Sequence, residues 1–251
     1  MIGILVIGNE ILSAQVRDTN LAYMLEHLAK AGQTVLEVRF VRDEMDAIVE
    51  ALRALHERCH WVFSSGGVGP THDDVTLPAY AQAFGRNMVR DPELMRRLEQ
   101  YHGAPLSDAQ ARMAWVPEGT ELVAATPETW PVPKLENCFA LPGVPEIFIK
   151  KFNAVLALLP PAATTWYAHV LTSEHEFQFA EFLDALQRQF ADLEIGSYPK
   201  YTGPYRTKIT VKAKDSEKAE RCLAALKAHF QAQASLVGEQ SVMAYSPQLE
   251  S

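Results

Sequence analysis

Apolar positions along the first third of the chain alternate between short solid runs and spaced stripes. Residues 2–7 are apolar throughout apart from Gly3 and end at Gly8, which predicts a strand buried on both faces. Residues 19–31 carry Leu21, Met24, Leu25 and Leu28 at helical spacing before Gly32 stops them. A second strand is expected over residues 34–41. A helix then follows whose apolar stripe is Ile48, Val49, Leu52 and Leu55, with Asp43 as a candidate N-cap. A third short strand at 61–63 runs into Ser64-Ser65-Gly66-Gly67. Strands separated by helices of this length predict βαβ units in an α/β domain with a mostly parallel sheet and right-handed crossovers.

Residues 75–130 read as more helical and less regular. Asp91-Pro92-Glu93 opens a helix with Leu94, Leu98 and Tyr101 on its buried side. A strand at 136–141 leads through Leu141-Pro142-Gly143-Val144-Pro145 into a helix over 145–159, with Ile147, Phe148, Phe152 and Leu156 on one face. Pro160-Pro161-Ala162-Ala163 is the best linker in the chain and divides it into domains at 1–160 and 161–251. Beyond it the order becomes strand (165–172), helix (173–190), strand (193–198), strand (206–213), helix (215–232) and a short strand near 235–237. That βαββαβ order predicts a smaller ferredoxin-like α+β domain.

Composition narrows the function classes. The chain has 251 residues, 48% of them hydrophobic, enough for a sizeable core. Its formal charge of −8 lacks the positive field that a nucleic-acid backbone requires, so no nucleic-acid partner is expected. Three scattered cysteines, Cys59, Cys138 and Cys222, form neither a disulfide framework nor a CxxC pair and fit a reducing compartment. The apolar start is too short for a signal segment. The longest apolar stretch, 154–163, is interrupted by Pro160 and Pro161, so no membrane span and a cytoplasmic location are expected.

The most informative segment runs from Ser64 through Gly66-Gly67-Val68-Gly69-Pro70-Thr71-His72-Asp73-Asp74-Val75-Thr76. It leaves the end of a parallel strand, where open α/β sheets place their ligand crevice. Its three glycines let backbone N–H groups approach a phosphate. Asp73 and Asp74 supply oxygen for a hard cation, or one carboxylate for acid–base work. The segment lacks Gly-Lys-Ser/Thr and is no P-loop. The competing reading is a glycine-rich turn with Asp73 or Asp74 capping the next helix. A second strand end, Gly8-Asn9-Glu10, can bring Glu10 to the same crevice, and Asp43 is a third acidic candidate. Asn20 either binds a ligand or caps its helix, and the stiff Pro142-Gly143 turn can wall a pocket. In the smaller domain Gly196-Ser197-Tyr198-Pro199-Lys200-Tyr201 and Arg206 could hold a base or phosphate, although an exposed loop is the commoner case. His56, Cys59 and His60 lack a fourth ligand for structural zinc.

Gly8-x-Glu10-Ile11-Leu12, Asp18-Thr19-Asn20, Gly66-Gly67-x-Gly69-Pro70-Thr71-x-Asp73-Asp74-x-Thr76 and Leu141-Pro142-Gly143-Val144-Pro145 occur here in the order of one family. The chain resembles the molybdopterin-binding-like (MoCF biosynthesis) domain of the CinA type, especially the version fused to eukaryotic FAD synthases. Arg112-Met113-Ala114, Pro117-Glu118-Gly119 and Ile195-Gly196-Ser197-Tyr198-Pro199 add to the resemblance. Asn9 departs from the Asp or Thr usual there, and Ser13-Ala14-Gln15 lacks a glycine common just after Leu12.

The resemblance implies a three-layer α/β/α, MogA-like domain whose pocket takes a pterin or nucleotide phosphate. It implies relatives that adenylylate molybdopterin or insert molybdate, and others that hydrolyse ADP-ribose or FAD with a metal. The deamidase and synthase domains of longer relatives are absent from this sequence, so neither of those activities is expected of it. Carried over residue by residue, Asp74 and Asp43 become the catalytic carboxylates, and Glu10, Asp73 and Asp74 the ligands of Mg²⁺, Mn²⁺ or Co²⁺. The ligand surface becomes Gly8, Asn9, Asn20 and Ser65, the loop residues Gly66, Gly67, Gly69, Pro70, Thr71 and Thr76, and the turn residues Pro142 and Gly143. The expected activity is metal-dependent hydrolysis of a nucleoside diphosphate linkage. The alternatives are a module that binds molybdopterin or a nucleotide without turnover, and a scaffold that Asn9 has inactivated. A homo-oligomer is expected from the family.

Overall fold

The computed structural model describes residues 1–126 and 129–244. The chain divides into two compact units, Met1–Pro160 and a second that begins at Pro161.

In the first unit β1 (Ile2–Ile7), α1 (Asn9–Leu12), α2 (Asn20–Lys30), β2 (Val35–Val41), α3 (Met45–Arg58) and β3 (Trp61–Ser65) follow one another. Then come α4 (Thr76–Phe84), β4 (Met88–Arg90), α5 (Pro92–His102), α6 (Asp108–Arg112) and β5 (Trp115–Pro117). The unit ends with β6 (Glu121–Val123), β7 (Val132–Leu135), β8 (Cys138–Leu141) and α7 (Pro145–Leu156). Its sheet has the order β2-β1-β3-β8-β7-β6, parallel from β2 to β8 and antiparallel beyond. β4 and β5 form a separate antiparallel ribbon.

The period of two in a strand decides which layer each residue of β1 packs against. All six residues are buried. Leu5 and Ile7 join Ile48, Leu52 and Leu55 of α3 and Tyr80 of α4. Ile2, Ile4 and Val6 join Met24 and Leu28 of α2 and Phe148 and Phe152 of α7. The sheet is therefore the middle of three layers. Its aromatic anchor is Phe152, stacked with Phe148 at 5.6 Å and edge-on to Phe63 at 5.6 Å.

The second unit runs β9 (Trp166–Thr172), α8 (Glu176–Gln189), β10 (Glu194–Pro199), β11 (Thr207–Ala213), α9 (Ser216–Ala232) and β12 (Leu236–Ala244). Its sheet order β10-β11-β9-β12 is antiparallel throughout, the ferredoxin-like arrangement expected. Asp215 caps α9, its Oδ1 accepting from the N–H groups of Glu217 and Lys218. Phe179 of α8 meets Phe230 of α9 edge-on in the core.

Several local expectations change. Asp43 does not cap α3: Glu44 holds that position without a side-chain bond, and the Asp43 carboxylate turns to Asn9 instead. Neither Asp73 nor Asp74 caps α4, whose N-cap is Val75. Tyr101 is 84% exposed, because Leu94 and Leu98 suffice for the small core beneath α5. β12 runs well past Val237, since its alternating half-buried residues hide the strand signal. Short strands β4, β5 and β6 thread the middle segment that read as irregular, and β7 follows it. Among the described residues no helix is long and apolar enough to cross a membrane.

Candidate functional site

The parallel strands β1, β3 and β8 all end on one edge of the sheet, and the chain leaves each through a glycine-containing turn. At Gly66, φ is +109°, and a Cβ would lie 2.1 Å from the Ile7 carbonyl oxygen, so only glycine fits. Its N–H donates to the Leu141 carbonyl at 3.1 Å, tying the β3 exit to β8. Gly67 has φ +64°, and a Cβ there would stand 2.5 Å from Thr76 Oγ1. Thr76 clamps this turn: its hydroxyl donates to the Gly66 carbonyl at 2.8 Å and its N–H to the Gly67 carbonyl at 3.0 Å. With 0% exposure Thr76 shapes the loop.

Asn20 and Ser65 also hold the loop from within. Asn20 does not cap α2, a duty performed by Asp18 Oδ1 accepting from the Leu21 N–H at 2.7 Å. Its Nδ2 donates to Ser65 Oγ at 3.2 Å and to the Gly143 carbonyl at 2.8 Å. Ser65 Oγ in turn donates to the Pro142 carbonyl at 3.4 Å. The buried pair thus fastens the Pro142-Gly143 turn to the β3 exit. Asn20 is only 5% exposed, and its Oδ1 has no hydrogen-bond partner among the described residues.

Two carboxylates flank the glycine loop. Asp43 accepts the Asn9 N–H on Oδ2 at 2.8 Å, and its Oδ1 stands 3.5 Å from the point a Gly67 Cβ would occupy. Asp74 accepts from the Thr71 N–H (2.8 Å) and hydroxyl (2.5 Å), both on Oδ2. A Gly69 Cβ would come within 2.6 Å of that same oxygen. Glycine at 69 is what lets the Asp74 carboxylate approach the loop, while Asp43 stands at ordinary contact distance on the Gly67 side. The Glu10 carboxylate folds over Gly8, 2.8 Å from where a Cβ there would sit. Asp73 lies exposed beside His72, 3.9 Å away.

The structure does not bring Glu10, Asp73 and Asp74 together: among the described residues, no three His, Cys, Asp or Glu side chains form a metal-holding group. The separate local bonds just described account for this. His56 and His60 are likewise engaged elsewhere, with Asn137 Oδ1 at 2.6 Å and the Met1 amino group at 2.9 Å. All three cysteines are buried. Burial pushes the thiol of Cys222 up to about 12 and raises those of Cys59 and Cys138, so all stay protonated and unreactive. In the second unit, the loop that could hold a base or phosphate makes contacts within itself. Arg206 donates to the Tyr201 carbonyl at 2.8 Å, and Lys200 Nζ sits over the Tyr205 ring at 4.9 Å.

Gly67, Val68, Gly69 and Asp74 wall two cavities. The larger, about 430 Å³, also takes in Pro70, the Pro142-Gly143 turn, Trp130, Leu94, Met113 and Lys151. The smaller, about 140 Å³, adds Thr71, Met88, Arg112 and Trp115. Sequence reasoning missed Trp130, Lys151 and Arg112 as site residues. Arg112-Met113 stands out in the sequence only as a point of resemblance, and no motif there marks Lys151.

Lys151 extends from α7 and donates to the Trp130 and Pro131 carbonyls at 3.0 and 2.9 Å. Burial lowers its ammonium pKa to about 8.

Known proteins place this geometry in a family. The family described as a probable molybdopterin binding domain matches residues 3–161, and the FAD synthase middle domain matches residues 165–238. A probable FAD synthase of Caenorhabditis elegans is 30% identical across 89% of this chain, which spans only 49% of that protein's length. An Archaeoglobus fulgidus protein with no functional name is 31% identical, covering 88% of this chain and 93% of its own. The crystal structure of CinA from Thermoplasma acidophilum, a protein described as of unknown function, superposes with a TM-score of 0.56 at 28% identity. That match covers 61% of this chain and 95% of that one. The chain belongs to the MoCF-biosynthesis family of probable molybdopterin binding domains, in its CinA-like form close to FAD synthases.

Proposed function

We propose that this chain hydrolyses a nucleoside diphosphate linkage, of the kind in ADP-ribose or FAD, with the help of a divalent cation. The observation that carries the reading is the Gly66–Gly69 turn set between Asp43 and Asp74 at the parallel strand ends, beside a cavity of about 430 Å³. Backbone N–H groups of such a turn suit phosphate oxygens. The relatives named as probable FAD synthases support a dinucleotide-like ligand.

The donor set fits a hard cation that arrives with its own water and phosphate oxygens. Asp43 keeps Oδ1 outside its bond to Asn9, and Asp74 keeps Oδ1 outside its bonds to Thr71. One or two carboxylates plus substrate oxygens are what Mg²⁺ takes, so a closed protein cage is not required. Asp43 and Glu10 would hold the cation, which when bound offsets charge on the phosphates and acidifies water. Thr71 fixes the Asp74 side chain so that its remaining oxygen can orient the attacking water and accept its proton. The water oxygen bonds to one phosphorus, the bridging P–O bond breaks, and two monophosphates leave.

Incubation of the purified protein with FAD or ADP-ribose and Mg²⁺, Mn²⁺ or Co²⁺ should release AMP. Asp74→Ala should abolish turnover with the fold intact; unchanged hydrolysis in that variant rejects the assignment. Tight nucleotide or molybdopterin binding with no AMP would instead support a binding module. Neither binding nor cleavage would support a scaffold inactivated through Asn9.

A further inference from the structure

The larger cavity has a chemistry that the loop and its carboxylates do not explain. Helix α7 presents two faces. Phe148, Phe152 and Val155 are buried in the core, while Ile147 and Lys151, four residues apart and so neighbours on one face, line the cavity. Ile147 is 47% exposed and adds apolar surface to the cavity wall. Leu94, Met113, Trp130 and Pro133 complete an apolar chamber.

Lys151 is the one cationic side chain among the described residues lining it. An ammonium group has three N–H donors. The Trp130 and Pro131 carbonyls take two of them. The third has no acceptor among the described residues. A half-buried ammonium with a donor to spare, in a chamber walled mostly by apolar side chains and by Asp74 at the glycine loop, offers a ligand a ready hydrogen bond.

We propose that Lys151 is a specificity-determining residue that selects the ring half of the substrate. Its free N–H donates to a carbonyl oxygen or aza nitrogen on the edge of a heteroaromatic ring held among Leu94, Met113, Trp130 and Ile147. This rests on the hydrolase reading only in taking this cavity as the ligand site. A phosphate is better served by the N–H groups of the glycine turn, which lines the same cavity, than by a single lysine beside apolar side chains. A flat ring with one acceptor edge satisfies both the walls and the spare donor.

The test is calorimetric titration of AMP, FMN and ribose 5-phosphate into the full chain without divalent cation, so binding is read independently of turnover. At least one ring-bearing monophosphate should bind the wild type more tightly than ribose 5-phosphate. Lys151→Met should weaken that ligand about 3- to 10-fold, the worth of one hydrogen bond, and leave ribose 5-phosphate within twofold. Lys151→Gln, which keeps a neutral donor, should lose less than Lys151→Met, and it serves as the reporter should the methionine variant fail to fold. Equal weakening of all three ligands would make Lys151 a phosphate clamp and overturn the proposal. So would no weakening at all, or a wild type with no preference for a ring. Failure of AMP release alongside the expected binding pattern would remove the hydrolase reading and leave this one standing.

Discussion

Replacing Lys151 by methionine should stabilise the protein near pH 7, although it removes two hydrogen bonds. Burial lowers the Lys151 ammonium from its ordinary 10.5 to about 8. At about 1.4 kcal/mol per unit, holding the charge in the fold costs roughly 3 kcal/mol at neutral pH. Methionine matches the stem of lysine in length and flexibility, and removes that cost. Against this, the Trp130 and Pro131 carbonyls lose a donor, at about 1 kcal/mol each where water cannot replace it. The expected net gain is therefore about 1–3 kcal/mol. The sign of its pH dependence follows from linkage. Between pH 8 and 10.5 the unfolded chain still holds the Lys151 proton that the folded one has released. The wild type therefore gains stability from this group as pH rises through that window, and the advantage of the variant shrinks. Urea unfolding of both proteins, followed by tryptophan fluorescence at pH 7 and pH 10, reads the difference directly. Other titrating groups cancel in the comparison. A variant less stable than wild type by more than about 1 kcal/mol at pH 7 would show that the carbonyl bonds outweigh the buried charge. An advantage equal at both pH values would refute the electrostatic reasoning itself.

Three further substitutions test separate parts of the structure. Gly66→Ala puts a methyl group 2.1 Å from the Ile7 carbonyl at φ +109° and should cost about 3 kcal/mol or more, read as a lowered urea midpoint. A stability within about 1 kcal/mol of wild type would mean the loop is not held as described. Phe152→Ala opens a cavity beside Phe63 and Phe148 and should cost about 3–5 kcal/mol in the same assay. Asp43→Asn keeps an oxygen for the Asn9 N–H and removes the charge. Its thermal midpoint should barely move, while the divalent-cation concentration for half-maximal AMP release should rise about tenfold or more; an unchanged cation requirement would take Asp43 out of the metal site.

The sequence carried most of the architecture because burial on both faces leaves a plain signal. The solid run at β1, the stripe at α3 and the βαββαβ order after Pro161 were legible for that reason. The strands β4–β7 were not, being three or four residues long, with prolines at 117 and 133 within them. Such strands take their place from the neighbours they pair with, and no local pattern reports it. The acidic residues show a different limit. The spacing of Asp73 and Asp74 invites a shared metal, yet no third acidic, histidine or cysteine side chain among the described residues joins them, and Thr71 holds Asp74 at the loop. Asp43, which looked like a helix cap, reached the site because its partner is the Asn9 N–H, 34 residues earlier in the chain.

Asn20 ties these threads together. From the start of α2 it reaches Ser65 at the end of β3 and Gly143 in the turn after β8, so one side chain couples three segments far apart in sequence. The Gly66 N–H adds a second link between the same turns through Leu141. On the proposed reading the loop amides receive an anion, and they must be held in place before it arrives, because reorganising them would consume binding energy. A glycine-rich turn is by itself too free for that task. The buried amide of Asn20, the Thr76 clamp and the close approach of Gly66 to Ile7 each remove part of that freedom. The rigidity of the site therefore comes from residues that need not touch a ligand at all, which is why the motif of glycines and acids, though readable in the sequence, understates what makes the site.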